Sequence, residues 1–210
     1  MIFLLDGARA LGIELDEAQV AKLLAHLDLV DEWGERMNLT AIRERSQQIT
    51  KHVLDSLSVV PWLRGKRVAD VGSGAGFPGV PLAIVCPDVH FALIESTGKK
   101  CRFLEHACDA LSLDNVEIVQ SRAEGYKPDV RFDTVVARAV GPTADLVHNA
   151  GPLVAGGGRL LAMKGRYPVD ELTKKLNGWK VVSVHKLLVP GLDEERHLVE
   201  LAHSHEKLAA

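Results

Sequence analysis

Cysteine is scarce in this chain of 210 residues. Cys86, Cys101 and Cys108 are odd in number and show no C-x-x-C spacing, which speaks against a disulfide framework or a thiolate zinc site. Cys101 and Cys108, seven apart in one helical segment, read as small buried apolar residues. Long hydrophobic runs are missing too: no apolar stretch approaches the roughly 18 residues of a membrane span. Met1-Ile2-Phe3-Leu4-Leu5 has neither a basic flank nor a long apolar core, so it reads as helix rather than signal peptide. The expectation is a cytoplasmic monomer without a membrane partner. There is no excess of one charge either. The formal net charge is −3, and residues 1 to 60 hold 6 Lys+Arg against 10 Asp+Glu, so any nucleic-acid footprint has to be a local patch. Arg64-Gly65-Lys66-Arg67, Lys99-Lys100-Cys101-Arg102 and Lys164-Gly165-Arg166 are the candidate patches, although short basic clusters often form no more than a solvated face.

What is present is 47% hydrophobic residues, enough for a substantial core. The organising stretch runs from Arg67 to Glu95. Val68-Ala69-Asp70-Val71 reads as a short buried strand, followed directly by Gly72-Ser73-Gly74-Ala75-Gly76-Phe77-Pro78-Gly79. Four glycines in those eight residues exclude regular structure and suit a tight turn that a ligand can approach closely. Pro78 and Pro81 suit the first turn of a helix over Val80 to Val85, which Pro87 closes. Val89 to Ile94 is a second buried strand, and it ends at Glu95, where βαβ nucleotide sites hold a ribose.

Gly74-Ala75-Gly76-Phe77-Pro78-Gly79 matches the dinucleotide pattern G-x-G-x-x-G. Its surroundings disfavour a pyrophosphate, because Asp70 adds negative charge and Pro78 removes an amide from the helix start. S-adenosylmethionine carries a sulfonium and an amino group but no phosphate, so an acid near the turn helps it, and Glu95 can accept from both ribose hydroxyls. A purely structural turn and a dinucleotide site remain open alternatives at this point.

Residues 1 to 60 read as a helical extension and residues 61 to 210 as the main domain. A short helix spans Phe3 to Leu11. Asp16-Glu17-Ala18-Gln19 is a capping box that opens a longer helix, with Val20, Leu23, Leu24, Leu27 and Val30 inward and an expected end at Trp33-Gly34. Asn38-Leu39-Thr40 is a loop. Ser46 is the expected cap of a third helix, on which His52, Asp55 and Ser56 fall on one face. They either pair locally or reach into a site. From residue 67 strands and helices alternate, the pattern of a mainly parallel sheet covered on both faces. Ser96 or Thr97 is expected to cap a helix through Leu111, and strands are expected over Val116 to Gln120 and Phe132 to Ala137. A helix over Thr143 to Leu153, a turn at Gly156-Gly157-Gly158 and a strand over Arg159 to Met163 follow. Pro168 to Leu176 is a helix ended by Asn177-Gly178. Trp179 to Val189 and His197 to His203 stand too close for a crossover and form an antiparallel hairpin. The expected fold is α/β: a class I, Rossmann-like methyltransferase with a seven-stranded mainly parallel sheet, an antiparallel C-terminal hairpin and an N-terminal helical extension.

Asn38-Leu39-Thr40, His52-Val53-Leu54-Asp55-Ser56, the glycine turn after Asp70, Ser121-Arg122-Ala123-Glu124, Arg138-Ala139, Lys164-Gly165 and Glu195-Arg196-His197-Leu198 together make the chain resemble the RsmG (GidB) family nearly end to end. That family consists of bacterial methyltransferases that modify N7 of a guanine in 16S ribosomal RNA. One small departure is Ala137, where other members can carry serine before the arginine. The resemblance implies S-adenosyl-L-methionine as cofactor and 16S rRNA, within the small ribosomal subunit, as partner. It implies cofactor contacts at Gly72, Gly74, Phe77, Ala123, Glu124 and Arg138, beside Glu95, which rests on the spacing argument. Asn38, His52, Lys164 and Arg196 are the substrate-side candidates. The alternative is a class I methyltransferase acting on another RNA or a small molecule.

Missing motifs narrow the chemistry further. Ala137-Arg138-Ala139-Val140-Gly141-Pro142 stands where exocyclic-amine methyltransferases carry Asn/Asp-Pro-Pro-Tyr, and Cys86 precedes Pro87 instead of forming a Pro-Cys nucleophile. Guanine N7 has an in-plane lone pair, so transfer to it is in line and needs neither a general base nor a covalent intermediate. No catalytic acid or base and no metal ligand is therefore assigned.

Overall fold

The computed structural model describes residues 2–172 and 175–204. Its strands are β1 (Arg67–Val71), β2 (His90–Glu95), β3 (Val116–Gln120), β4 (Phe132–Arg138), β5 (Val154–Lys164), β6 (Trp179–Leu187) and β7 (Arg196–His203). They form one sheet in the order β3-β2-β1-β4-β5-β7-β6. β1 to β5 are parallel to one another, while β7 is antiparallel to both β5 and β6. The order reverses between β1 and β4, so a crevice opens beyond their carboxyl ends, where open α/β sheets bind ligands.

Strand alternation sorts the core into two layers. Val68, Phe91, Leu93, Val136 and Leu161 point to one face and Ala69, Ala92, Ile94, Val135 and Ala162 to the other. The first face is covered by α1 (Ile2–Ala10), α2 (Glu17–Met37), α5 (Gly79–Val85) and α6 (Gly98–Ala110), through Leu4, Leu23, Leu27, Leu82 and Phe103. α7 (Thr143–Ala150) covers the second through Leu146 and Val147. The amino-terminal helices thus share one core with the sheet.

The capping box of α2 forms as expected, with Asp16 and Gln19 bonding each other's backbone amides. The helix does not end at Trp33-Gly34 but continues to Met37, and the chain leaves through Asn38 in the left-handed region at φ 51°. An internal glycine costs a helix only about 1 kcal/mol, and Trp33 and Met37 gain packing against the core on either side of it. Ser46 does not cap the third helix either. Glu44 precedes α3 (Arg45–Gln48), and Ser46 donates its hydroxyl to the Glu44 carboxylate from within the helix. α3 runs into a π-helical segment, Ile49–Leu54, and then α4 (Asp55–Leu57). π turns are rare and concentrate at functional sites.

Three further expectations change. Neither Ser96 nor Thr97 caps α6 with its side chain; instead Glu95 Oε1 accepts from the Thr97 amide at 2.8 Å. Gly156-Gly157-Gly158 lies within β5 and is not a turn before it. Between the pairs Phe132–Val154 and Thr134–Arg159, β5 spends five residues against two of β4, and Gly157 takes φ +82° in the resulting bulge. The helix expected over Pro168 to Leu176 is described as α8 (Val169–Leu172), with Leu176 outside it; residues 173 and 174 lie outside the described part of the chain.

Gly79, at the start of α5, faces Leu93 and the Asp70 carboxylate so closely that a Cβ would stand 2.7 Å from Asp70 Oδ2. Gly79→Ala should therefore cost about 1–3 kcal/mol by overpacking, and the melting temperature should fall by several degrees in a thermal scan.

Candidate functional site

Two buried carboxylates shape the glycine turn. Asp70, inside β1, accepts the Gly79 amide on Oδ2 at 3.0 Å, and its own carbonyl accepts the Ser73 hydroxyl at 2.9 Å. Glu95, at the end of β2, accepts the Gly74 amide on Oε2 at 3.1 Å. The amides of Gly72 and Ser73 go to Ile94 O, that of Gly76 to Ser73 O and that of Val80 to Gly76 O. These six amides are committed within the protein, which leaves the turn few N–H groups for a pyrophosphate. Burial raises the Asp70 pKa to about 7; the Gly79 amide and the Arg138 charge oppose this only partly, and Oδ1 has no partner.

Beside the turn lies a cavity of about 180 Å³, lined on one side by Gly72, Glu95 and Ser96 and on the other by Ala123, Glu124, Val140 and Asn149. Four of the expected cofactor residues, Gly72, Glu95, Ala123 and Glu124, therefore meet here. Gly72 sits at φ +73°, and a Cβ on it would come within 3.0 Å of Val140 Cγ2. Gly74 takes part through its backbone bond to Glu95. Asn149, from α7, was not anticipated, since a lone asparagine on an amphipathic helix carries no motif.

Phe77 and Arg138 lie elsewhere. The Phe77 side chain is buried behind the turn, its ring centroid 4.5 Å from that of His52 and 4.7 Å from that of His26. The Arg138 guanidinium caps the same ring at 5.3 Å and turns away from the first cavity. It donates to Lys51 O at 3.0 Å and Asp55 Oδ2 at 3.1 Å.

Arg138 thereby lines a second, larger cavity of about 480 Å³, together with Lys51, His52, Asp55, Lys164, Glu194 and Arg196. His52, Lys164 and Arg196, three of the four substrate-side candidates, converge on it. The fourth, Asn38, is the cap of α2, and its segment contributes through Thr40, whose Oγ1 lies 2.8 Å from His52 Nε2. His52 and Asp55 do not pair with each other. Asp55, buried, accepts from both Arg138 and Arg196, the latter through Oδ1 at 3.1 Å. His52 is held neutral, its pKa lowered to about 4 by burial and then by the Arg138 charge.

Lys164 reaches across from β5 to Gly141 O at 2.7 Å and to Glu171 at 2.9 Å, while Glu171 accepts the Thr143 amide at 2.7 Å. This pins the segment after β4, where Ala139 adopts φ +58°. A non-glycine residue there holds strain that its surroundings must maintain. Ala139 lines the basic cavity and Val140 the one beside the turn, so a single peptide unit separates the two. Of the basic clusters, Lys164-Gly165 belongs to the second cavity, whereas Arg64 to Arg67 lie at the amino end of β1, away from the crevice, with Arg64 paired to Glu200.

The strand order and the glycine turn at the reversal point define a Rossmann-like methyltransferase fold of class I. A ribosomal protein L11 methylase from Lactobacillus delbrueckii shares it, with a TM-score of 0.56 over 78% of this chain and 81% of that one at 12% identity. A family model described as rRNA small subunit methyltransferase G matches residues 19–199. Ribosomal RNA small subunit methyltransferase G of Nitrosococcus oceani is 48% identical, covering 93% of this chain and 91% of its own. That of Marinobacter nauticus is 45% identical over 94% and 92%. The chain belongs to this family.

Asp70 binds its proton more tightly in the fold than its ordinary carboxyl pKa of 3.8 allows when unfolded. Between about pH 4 and 7 the native state therefore holds the extra proton, and this residue's contribution to stability falls as pH rises. Asp70→Asn removes that term. Its stability relative to wild type should climb by on the order of 1 kcal/mol per pH unit across that window and level off above it, as read by urea unfolding.

Proposed function

We propose that this protein transfers a methyl group from S-adenosyl-L-methionine to N7 of a guanine in 16S ribosomal RNA. The observation that carries this reading is the contact of two chemically different cavities across Ala139 and Val140, one with the Glu95 and Glu124 carboxylates in its wall, the other rich in Lys and Arg. When bound, the donor supplies an electrophilic methyl on a sulfonium. The residues of the smaller cavity fit it. Glu95 spends one acceptor site of each oxygen on Gly74 and Thr97, and a carboxylate retains further lone pairs for ribose hydroxyls. Gly72 adds no side chain to the wall, and Ala123 and Glu124, on the far side of the cavity, are the residues that would meet the adenine.

On the other side, Lys51, Lys164 and Arg196 line the cavity while paired with Glu194, Glu171 and Asp55, so a phosphodiester would draw on them in competition with those carboxylates, and Arg138 is held by Asp55 as part of the wall. Guanine N7 already presents its lone pair, so the work left to the protein is alignment in line at roughly 3 to 3.5 Å between reacting atoms. Residues 61 to 210 form the transferase domain in this reading. Residues 1 to 60 are an extension that walls the substrate side with Ile42, Lys51, His52 and Asp55.

The test is transfer of labelled methyl from S-adenosylmethionine to small ribosomal subunits taken from a strain without the endogenous activity, followed by chain cleavage specific for 7-methylguanine. Label at one cleavable guanine is the expected result. Label on another atom or another RNA would refute the assignment. Two variants separate the cavities. Gly72→Asp should abolish donor binding in calorimetry, by filling the space before Val140. His52→Phe keeps the ring stack on Phe77 but loses the bond to Thr40; it should bind donor within about threefold of wild type and transfer at least tenfold more slowly.

A further inference from the structure

Position 26 is the polar exception on an apolar stripe. Val20, Leu23, Leu27 and Val30 of α2 are buried against the core, and His26 is fully buried among them. Leucine would satisfy packing there, and an imidazole is costly to bury unless its nitrogens find partners. One of them does. His26 Nε2 lies 2.9 Å from Ala75 O, in the middle of the glycine turn, while Nδ1 has no partner. A carbonyl can only accept, so Nε2 carries the proton and donates it. Burial lowers the His26 pKa to about 4, more than the Ala75 bond raises it, so the ring is neutral at physiological pH.

The turn is shaped to receive this contact. Gly76 takes φ +87°, and a Cβ on it would stand 3.1 Å from His26 Nε2 and 2.6 Å from Val80 Cγ2. The next residue, Phe77, lies with its ring 4.7 Å from the His26 ring and 4.5 Å from that of His52. Two neutral imidazoles from the helical extension thus hold the aromatic residue of the turn, and one of them also holds its backbone.

We infer that His26 is a positioning residue for the glycine turn: its Nε2–H on Ala75 O and its ring on Phe77 keep residues 75 to 77 in the shape that the cavity beside Gly72 requires. The functional consequence rests on the methyl-donor reading of that cavity, whereas the tether itself does not. His26 acts through Ala75 and Phe77 rather than on a reacting atom.

Wild type, His26→Leu and His26→Gln separate these points, glutamine being able to return an N–H to the carbonyl. His26→Phe, which keeps a ring and removes only the donor, carries the same expectation as leucine should leucine pack poorly. Hydrogen exchange is measured first on the protein without ligand. In the leucine variant, amides of residues 72 to 77 and 79 should exchange about tenfold faster, with β4 and β5 unchanged. In initial-rate kinetics KM for S-adenosylmethionine should rise about tenfold, while kcat at saturating donor stays within about twofold. Glutamine should restore both measures to within about threefold of wild type. Unchanged exchange in the turn, equal acceleration across the whole sheet, or loss of kcat with unchanged KM would each overturn the inference. If wild type binds no S-adenosylmethionine and the leucine variant still loosens the turn, the donor reading fails and the tether stands.

Discussion

The Gly74 and Gly79 amides end on two carboxylates drawn from adjacent strands, Glu95 and Asp70, and the rest of the site is arranged around that pair of bonds. Placing Asp70 wholly out of water is costly, which is why its proton is held to about pH 7. The return is a turn with fixed curvature between β1 and α5, with Gly72 packed closely against Val140 at the cavity wall. The same bonds decide what the turn cannot do. Amides already donated to carboxylates are not available to a phosphate, so a sequence that reads as a dinucleotide fingerprint folds into a site with the opposite electrostatic preference.

Asp55 plays the corresponding part in the second cavity. Its two oxygens take Arg138 from the end of β4 and Arg196 from the start of β7, so an acid from the helical extension joins the two strands that flank β5, which are far apart in sequence. Such a buried pairing is a weak source of stability and a strong source of geometry, because losing either partner strands a charge. The π-helical turn just before it changes the angular spacing of His52 and Asp55, sending one ring onto Phe77 and the other side chain to the arginines. Lys164 and Glu171 brace the segment between the cavities from the opposite side.

The alternation of apolar runs with glycine and proline punctuation made nearly the whole sheet legible in advance, with Val116–Gln120 agreeing residue for residue and the hairpin over β6 and β7 recognised from the shortness of its connection. Boundaries that depend on packing were not legible. Gly34 looks like a helix terminator until Trp33 and Met37 are found against the core, and three consecutive glycines look like a turn until β4 is found beside them with only two residues to offer. Arg138 was placed on the right strand end, but its side chain could turn to either cavity. Asp55, 83 residues away in the chain, draws it to the second. His26 was passed over because an apolar stripe with one histidine gives no sign of a bond partner 49 residues downstream.

Two kinds of property separate here for a physical reason. Backbone conformation and burial follow from short-range preferences, so residue order alone determined the glycine turn, the acid after β2, the parallel sheet and the helical extension, and its motifs named the family. Which polar atoms meet depends on long-range register and on competition among partners for buried donors and acceptors. Only the tertiary structure decided that Glu95 and Asp70 consume the amides of the turn, that Asp55 bridges two arginines instead of pairing with His52, and that the cavities touch at Ala139 and Val140.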